Sequence, residues 1–241
     1  MPELSRLGTV GADELASLHR DLLEPPAHDG RPHVALNFVM TADGRVSYQG
    51  RAEIGTRTDR ALMFHLRSLA DAVMIGAGTL RVDPFAAPSV KGRDRQPMAV
   101  VVSRRGDLPL DNRFFAHPGE RLVATSGAAA PAAIAAVRAA GAAVEAFGDA
   151  EVDLARLLGA LKDRGVRFAL CEGGPTLAGQ LLALRLVDEL FLTQATLITA
   201  EPDARRLFEG SLRPAGPVHV ERVTLHEHDG ERYERSRLRY G

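Results

Sequence analysis

The chain has 241 residues, 45% of them hydrophobic and 25% charged, with a net charge of −1. This length allows one large domain or two small ones with ample core, and the balanced charge gives no general attraction to nucleic acid or membranes. No apolar run approaches the roughly 20 residues that span a bilayer, no signal peptide opens the chain, and the lone cysteine, Cys171, excludes an internal disulfide and a multi-cysteine zinc site, so the composition fits a cytoplasmic enzyme.

Residues 13–23 read as an amphipathic helix, with Leu15, Leu18, Leu22 and Leu23 on one side and Glu24-Pro25-Pro26 as its stop. Residues 27–32 read as a linker, so the expected organisation is an N-terminal helix and linker over 1–32 and one domain over 33–241. Apolar runs at 33–40, 72–76, 98–103, 121–125, 143–147, 167–171 and 188–194 read as strands, with helices near 58–70, 130–140, 151–164 and 175–186. Thr58 can cap the first of these helices. Pro131 starts the second and Gly141 stops it, and Gly165 stops the third. This alternation predicts an α/β fold with a mostly parallel sheet flanked by helices. Past residue 215 the runs 217–226 and 231–240 flank His228-Asp229-Gly230, where Asp-Gly signals a hairpin and an antiparallel finish to the sheet.

The most informative stretch is Cys171-Glu172-Gly173-Gly174-Pro175-Thr176-Leu177. A buried strand, a glycine turn and a helix opened by proline leave free backbone N–H groups at the positive end of a helix dipole, which suits an anion. Glu172 sits on the rim of that site. A carboxylate beside an anion-binding turn is costly unless it holds a second ligand, so the stretch points to a phosphate-bearing cofactor next to an acid with its own task. Cys171 reads as an inert core thiol.

A second glycine cluster is Gly76-Ala77-Gly78-Thr79-Leu80-Arg81. A dinucleotide fingerprint fails here, because its third glycine would fall at Arg81 and Pro84 stops a long helix. The cluster is either a tight turn between packed elements or a place where backbone approaches a ligand, with Thr79 and Asp83 as polar contacts. In the first strand, Asn37 is the one interior polar residue, and its amide needs partners from a polar face, a neighbouring backbone or a ligand.

Thr41-Ala42-Asp43-Gly44-Arg45, then His65-Leu66-Arg67 before Asp71-Ala72, then Gly76-x-Gly-Thr79 with Asp83-Pro84, then Glu172 to Leu177, come in the order and near-spacing of the riboflavin-biosynthesis pyrimidine reductases. Over residues 33–240 the chain resembles that family, the reductase domain of the bifunctional deaminase–reductase and its stand-alone relatives, which is similar in fold to dihydrofolate reductase. The resemblance implies NADPH-dependent reduction of the ribosyl group of a 5-amino-6-(phosphoribosylamino)pyrimidine to a ribityl chain. It also implies a homodimer. By position it puts Thr79, Asp83, Ser103, Gly173, Gly174, Pro175, Thr176 and Leu177 against the cofactor, and Asn37, Arg67 and Glu172 against the substrate. Glu172 and Asp83 are the carboxylates it places at the reaction. Arg104 and Arg105, directly after Ser103, are expected to read the 2′-phosphate that separates NADPH from NADH.

The departures from the family fall on the substrate side. There is no tryptophan, and Glu53-Ile54-Gly55-Thr56 stands where the family often has one. Val82-Asp83-Pro84 is one acid short, and Ala86 to Lys91 replaces a segment that carries a phosphate-binding arginine, a loss that Lys91 or Arg93 can fill. The zinc-type cysteine pair of the deaminase half is absent. His226 and His228 read as hairpin residues without a metal, and the basic run Arg232 to Arg239 as a solvated edge without nucleic acid. Three readings follow: a riboflavin-pathway pyrimidine reductase, an NADPH reductase of another heterocycle such as dihydrofolate, and a non-catalytic NADPH-binding protein. Asn37 resembles the stand-alone relatives that act before deamination.

Overall fold

A computed structural model describes residues 4–6, 17–50, 54–83, 85, 90–117, 119–228 and 230–241. The chain forms two compact units. The first comprises 1–21, 34–66 and 175–241, and the second 22–33 and 67–174.

In the second unit, β3 (Ala72–Gly76), β4 (Met98–Val102), β5 (Arg121–Thr125), β6 (Ala143–Ala146) and β7 (Phe168–Cys171) pair in the order β7-β3-β4-β5-β6, all parallel. Strands β7, β3 and β4 are almost wholly buried, as expected for a parallel sheet covered on both faces. Helix α3 (Pro131–Ala139) starts on its proline and gives way at Gly141, whose φ of +84° only glycine adopts without strain. Helix α4 (Leu154–Asp163) is capped by Asp153, which accepts from the Arg156 N–H. Leu154, Leu157, Leu158 and Leu161 form its buried stripe, each contributing about 1.5–3 kcal/mol. Asp71 ties this unit together just before β3. It accepts from the backbone N–H groups of Arg167 and Phe168 and from the Arg93 guanidinium.

In the first unit, β1 (Leu4–Arg6), β9 (Val218–His228), β10 (Glu231–Tyr240), β8 (Glu189–Gln194) and β2 (His33–Met40, of which 34–40 belong to this unit) follow in the order β1-β9-β10-β8-β2. β2 runs parallel to β8, while β10 is antiparallel to both β8 and β9. The strands of the chain are thus mostly parallel, with an antiparallel C-terminal pair. Helix α1 (Arg57–Leu69) begins one residue earlier than the sequence predicts, because Thr56 and not Thr58 accepts from a first-turn N–H, that of Thr58. Helix α5 (Pro175–Ala183) buries Leu177, Ala178, Gly179 and Leu181.

Four elements differ from expectation. Of the helix expected over 13–23, residues 13–16 lie outside the described residues, Ser17 is helical, and a 3-10 turn follows at Arg20–Leu23. A six-residue helix, α2 (Ala77–Val82), does open after Gly76 and ends before position 84. A 3-10 turn at Arg113–Ala116 is capped by Asn112, and β1 pairs with the far end of the chain. Pro84, Ala86–Ser89, Glu53 and the hairpin residue Asp229 lie outside the described residues. No helix among the described residues is long and apolar enough to cross a membrane.

Candidate active site

The site residues named above divide between the two units. In the second unit the strand end at β7 and the helix α1 residue Arg67 come together. Arg67 donates from Nε to one oxygen of Glu172 at 2.7 Å and from Nη2 to the other at 2.6 Å. Both side chains are about nine-tenths buried, at 10% and 7% exposure. Such a forked, charge-assisted pair fixes both groups in orientation as well as in energy. The Phe85 ring, itself buried, lies 5.3 Å from the guanidinium carbon, a cation–π contact. The sequence names Arg67 and Glu172 separately. Their mutual pairing and the Phe85 cover are what the structure adds.

The glycine turn beside Glu172 is built against the second glycine cluster. Glu172 N–H donates to Met74 O at 2.9 Å, and Gly76 N–H donates to Gly173 O at 2.8 Å. A side chain at Gly174 would bring a Cβ within 3.1 Å of Thr79 Oγ1. The Gly76 cluster is therefore a turn between packed elements, which starts a short helix and lies close against the Gly173–Gly174 turn. The peptide between those two glycines is cis. Asp83 follows the end of α2. Its N–H donates to Thr79 O, and its own carbonyl accepts from the Asn112 amide and from Phe85 N–H. Asn112 also donates to Leu80 O. Nothing in its local sequence singles it out, yet it holds the backbone that carries Thr79 and Asp83.

Ser103 is buried at the end of β4, and its Oγ accepts from Gly106 N–H, closing a tight turn. Arg104 follows and pairs with Glu151 at 2.7 Å, both exposed. Exposed pairs of this kind contribute about 0–1 kcal/mol and exchange partners readily. Arg93, a candidate replacement for the missing phosphate-binding arginine, is committed elsewhere. Its guanidinium donates to Ser68 O, Ala70 O and Asp71 Oδ1, so it closes the end of α1 onto the start of β3. Cys171 is fully buried, and burial pushes its thiol up to about 12, which makes it an inert core group.

Asn37 belongs to the first unit. It lies in register with Phe191, Arg235 and Thr224 on the neighbouring strands, so the four form one row across the sheet face. With His19, Leu62, Leu66 and Tyr233 they line a small pocket. Arg235, 4% exposed, is held there by Asp21 and Glu189, each in a forked pair at 2.7–3.0 Å. Burial opposes its charge and these hydrogen bonds more than offset it, raising its pKa. Burial next to the Arg235 charge lowers His19 to about 3, so its imidazole is neutral near pH 7. Also in this unit, helix α5 opens with Pro175, Thr176 and Leu177, and Thr176 Oγ1 accepts from Arg205 at 3.3 Å.

The family model of the RibD C-terminal domain matches residues 32–233. The chain belongs to the RibD C-terminal domain family. Among relatives of this RibD C-terminal domain, the 2,5-diamino-6-ribosylamino-4(3H)-pyrimidinone 5′-phosphate reductase of Archaeoglobus fulgidus is 31% identical over 207 residues, covering 80% of this chain and 94% of the relative. The protein of the same name from Methanothermobacter thermautotrophicus is 34% identical over 189 residues, covering 75% and 85%. In fold it resembles a pyrimidine reductase-like protein from Corynebacterium diphtheriae, with a TM-score of 0.78 at 23% identity over 87% of this chain and 93% of that one. This is the dihydrofolate reductase-like architecture that the sequence resemblance implies. Named as reductases, the archaeal relatives are consistent with a nicotinamide cofactor, and they favour neither dihydrofolate nor a non-catalytic role.

Proposed function

We propose that this RibD C-terminal domain uses NADPH to reduce the ribosyl group of 2,5-diamino-6-ribosylamino-4(3H)-pyrimidinone 5′-phosphate to a ribityl chain, in riboflavin biosynthesis. The observation that carries the reading is the alignment, over most of both chains, with two archaeal reductases that bear this substrate's name. Asn37 on β2 resembles the stand-alone relatives that act before deamination, and its neutral amide can both donate to and accept from the ring.

NADPH, when bound, supplies the hydride that reaches C1′ of the ring-opened sugar. The residues of this chain fit such a cofactor at Gly174, where the lack of a Cβ keeps the turn open beside the Thr79 hydroxyl. Thr79, Asp83, Ser103, Gly173 and Gly174 would hold the cofactor, with Pro175, Thr176 and Leu177 presenting N-terminal helix groups to its phosphates. Arg104, released from its exposed pair with Glu151, would meet the 2′-phosphate, together with Arg105. Glu172, oriented by Arg67, would accept from the pyrimidine's N–H groups and hold the ring so that C1′ faces the hydride. Asp83 is the second carboxylate placed at the reaction. The same reading makes the enzyme cytoplasmic and a homodimer, and light scattering on the purified protein tests the dimer.

The deciding experiment follows NADPH absorbance with the diaminopyrimidinone phosphate, its deaminated counterpart and dihydrofolate in parallel. Turnover is expected with the first at the highest kcat/KM. Consumption with dihydrofolate alone, or with none of the three, would overturn the assignment. Replacing Arg104 and Arg105 together by alanine is expected to erase the preference for NADPH over NADH.

A further inference from the structure

The turn Thr41-Ala42-Asp43-Gly44-Arg45 has work outside its own loop. Thr41 Oγ1 donates to Asp43 Oδ1 at 2.6 Å and accepts from Arg45 N–H at 2.9 Å, which fixes the carboxylate in place. Gly44 supplies the left-handed step at φ +78°. Asp43 then reaches across the sequence. Its two oxygens accept from the N–H groups of Thr199 and Ala200, at 3.3 and 3.1 Å. Ala200 has a φ of +51°, a conformation that alanine adopts only when its surroundings impose it.

The same turn grips the following residues along their backbone. Ala42 N–H donates to Leu197 O, Val46 N–H donates to Arg205 O, and Arg45 Nη1 donates to Ala204 O. Arg205 N–H donates to Ser47 Oγ at 3.1 Å. Arg205 itself points at the start of α5, where its Nη2 donates to Thr176 Oγ1 while its Nε pairs with Glu209. Glu209 N–H in turn donates to Pro175 O, and its carboxylate accepts from Arg206 N–H. Gly179 lets this strap lie flat on the helix, since a Cβ there would come within 2.1 Å of Glu209 O.

A cation at a helix N-terminus is unfavourable by itself, by about 0.3–1 kcal/mol. Here the strap holds one there, with Nε on the Glu209 carboxylate and Nη2 on Thr176 Oγ1, at the residues to which the proposed function assigns the cofactor phosphates. We infer that Asp43 is a positioning residue for the cofactor end of the site, acting through the 197–206 strap to hold Arg205 at the opening of α5. The inference rests on that assignment and adds Arg205 to it as a charged partner for a phosphate. Asp43 is exposed and touches no reacting atom. Its effect is conformational and its signature is selective.

The test measures NADPH affinity by fluorescence, together with kcat and both KM values, for Asp43→Ala, Asp43→Asn, Arg205→Ala and the Asp43→Ala/Arg205→Ala double variant. Losing an anchored charge–phosphate contact is worth about tenfold in affinity. Asp43→Ala is expected to raise the Kd and KM for NADPH by about that factor, with kcat at saturating NADPH and KM for the pyrimidine within about twofold. Arg205→Ala should match it, Asp43→Asn should retain part of the affinity, and the double variant should be no weaker than Arg205→Ala alone. Three results overturn the inference: unchanged NADPH affinity in Arg205→Ala, multiplicative losses in the double variant, or a parallel fall in kcat and both substrate affinities. Wild-type protein that binds no NADPH would sink the cofactor assignment and this inference together, whereas wild-type binding with an indifferent Asp43→Ala removes only the positioning role.

Discussion

Glutamine at position 172 would leave the Arg67 guanidinium in a pocket where the two side chains are only 10% and 7% exposed. The wild-type pair has two charge-assisted bonds at 2.6–2.7 Å, and the variant keeps one neutral acceptor oxygen for them. Removing one partner of a buried pair costs about 3–5 kcal/mol, because the other charge stays buried. In a chain of this size each kcal/mol lowers Tm by about 2–4 °C, so Glu172→Gln and Arg67→Met should each lose about 6–20 °C, glutamine at the low end. Replacing both by methionine removes both charges at nearly constant volume, and the double variant should melt above Arg67→Met. Differential scanning fluorimetry gives the Tm values, and NADPH consumption with the pyrimidine gives the activity. The double variant should recover stability and remain inactive, separating the structural from the functional use of the pair. A Glu172→Gln protein that melts within about 2 °C of wild type would refute the burial argument.

Further outcomes can be checked on the same protein. Gly179→Ala must push Glu209 off α5, at a cost of about 1–3 kcal/mol seen in urea melts, and a neutral result would mean that the strap is not seated there. Cys171, with its thiol pushed up to about 12, should resist iodoacetamide in the native state and react only on unfolding; ready labelling of folded protein would contradict its burial. His19 binds its proton only near pH 3 when folded and near 6.5 when unfolded, so the unfolded chain holds more protons between those values. Stability should therefore fall as pH drops through that window, by at most about 1.4 kcal/mol per unit, and His19→Phe should flatten the slope. An identical slope in the variant would assign the loss to other groups.

The sequence displays its strands from residue 33 onward because they carry local signals. β2, β3 and β5 lie at 33–40, 72–76 and 121–125, as the apolar runs predict, and Pro131, Gly141 and Gly165 mark helix ends through their own backbone preferences. Elements without a local signal were less legible. β1 has three residues and depends on β9 for its existence, while α2 is too short to show a period. Thr56 and Thr58 are equally good caps by type, and only the packed start of α1 chooses between them. The site follows the same division. Glu172, Gly174 and Thr79 stand out by residue type and spacing. That Arg67 spends both arms of its fork on Glu172, that Phe85 covers it, and that Asn112 and Arg93 hold backbone carbonyls are contacts over long sequence separations. A pattern of types does not encode them.

The division of the chain into units has a consequence for the order in which the protein is made. Every residue of the second unit precedes Pro175, so its parallel sheet is complete in covalent terms while β8, β9 and β10 have yet to be synthesised. Asp21, His19 and Asn37, made first, must wait for Glu189, Phe191 and Arg235, made last, before their charges and amides are matched. During synthesis the second unit can therefore fold early, and the polar layer of the first closes only once β8 and β10 have followed.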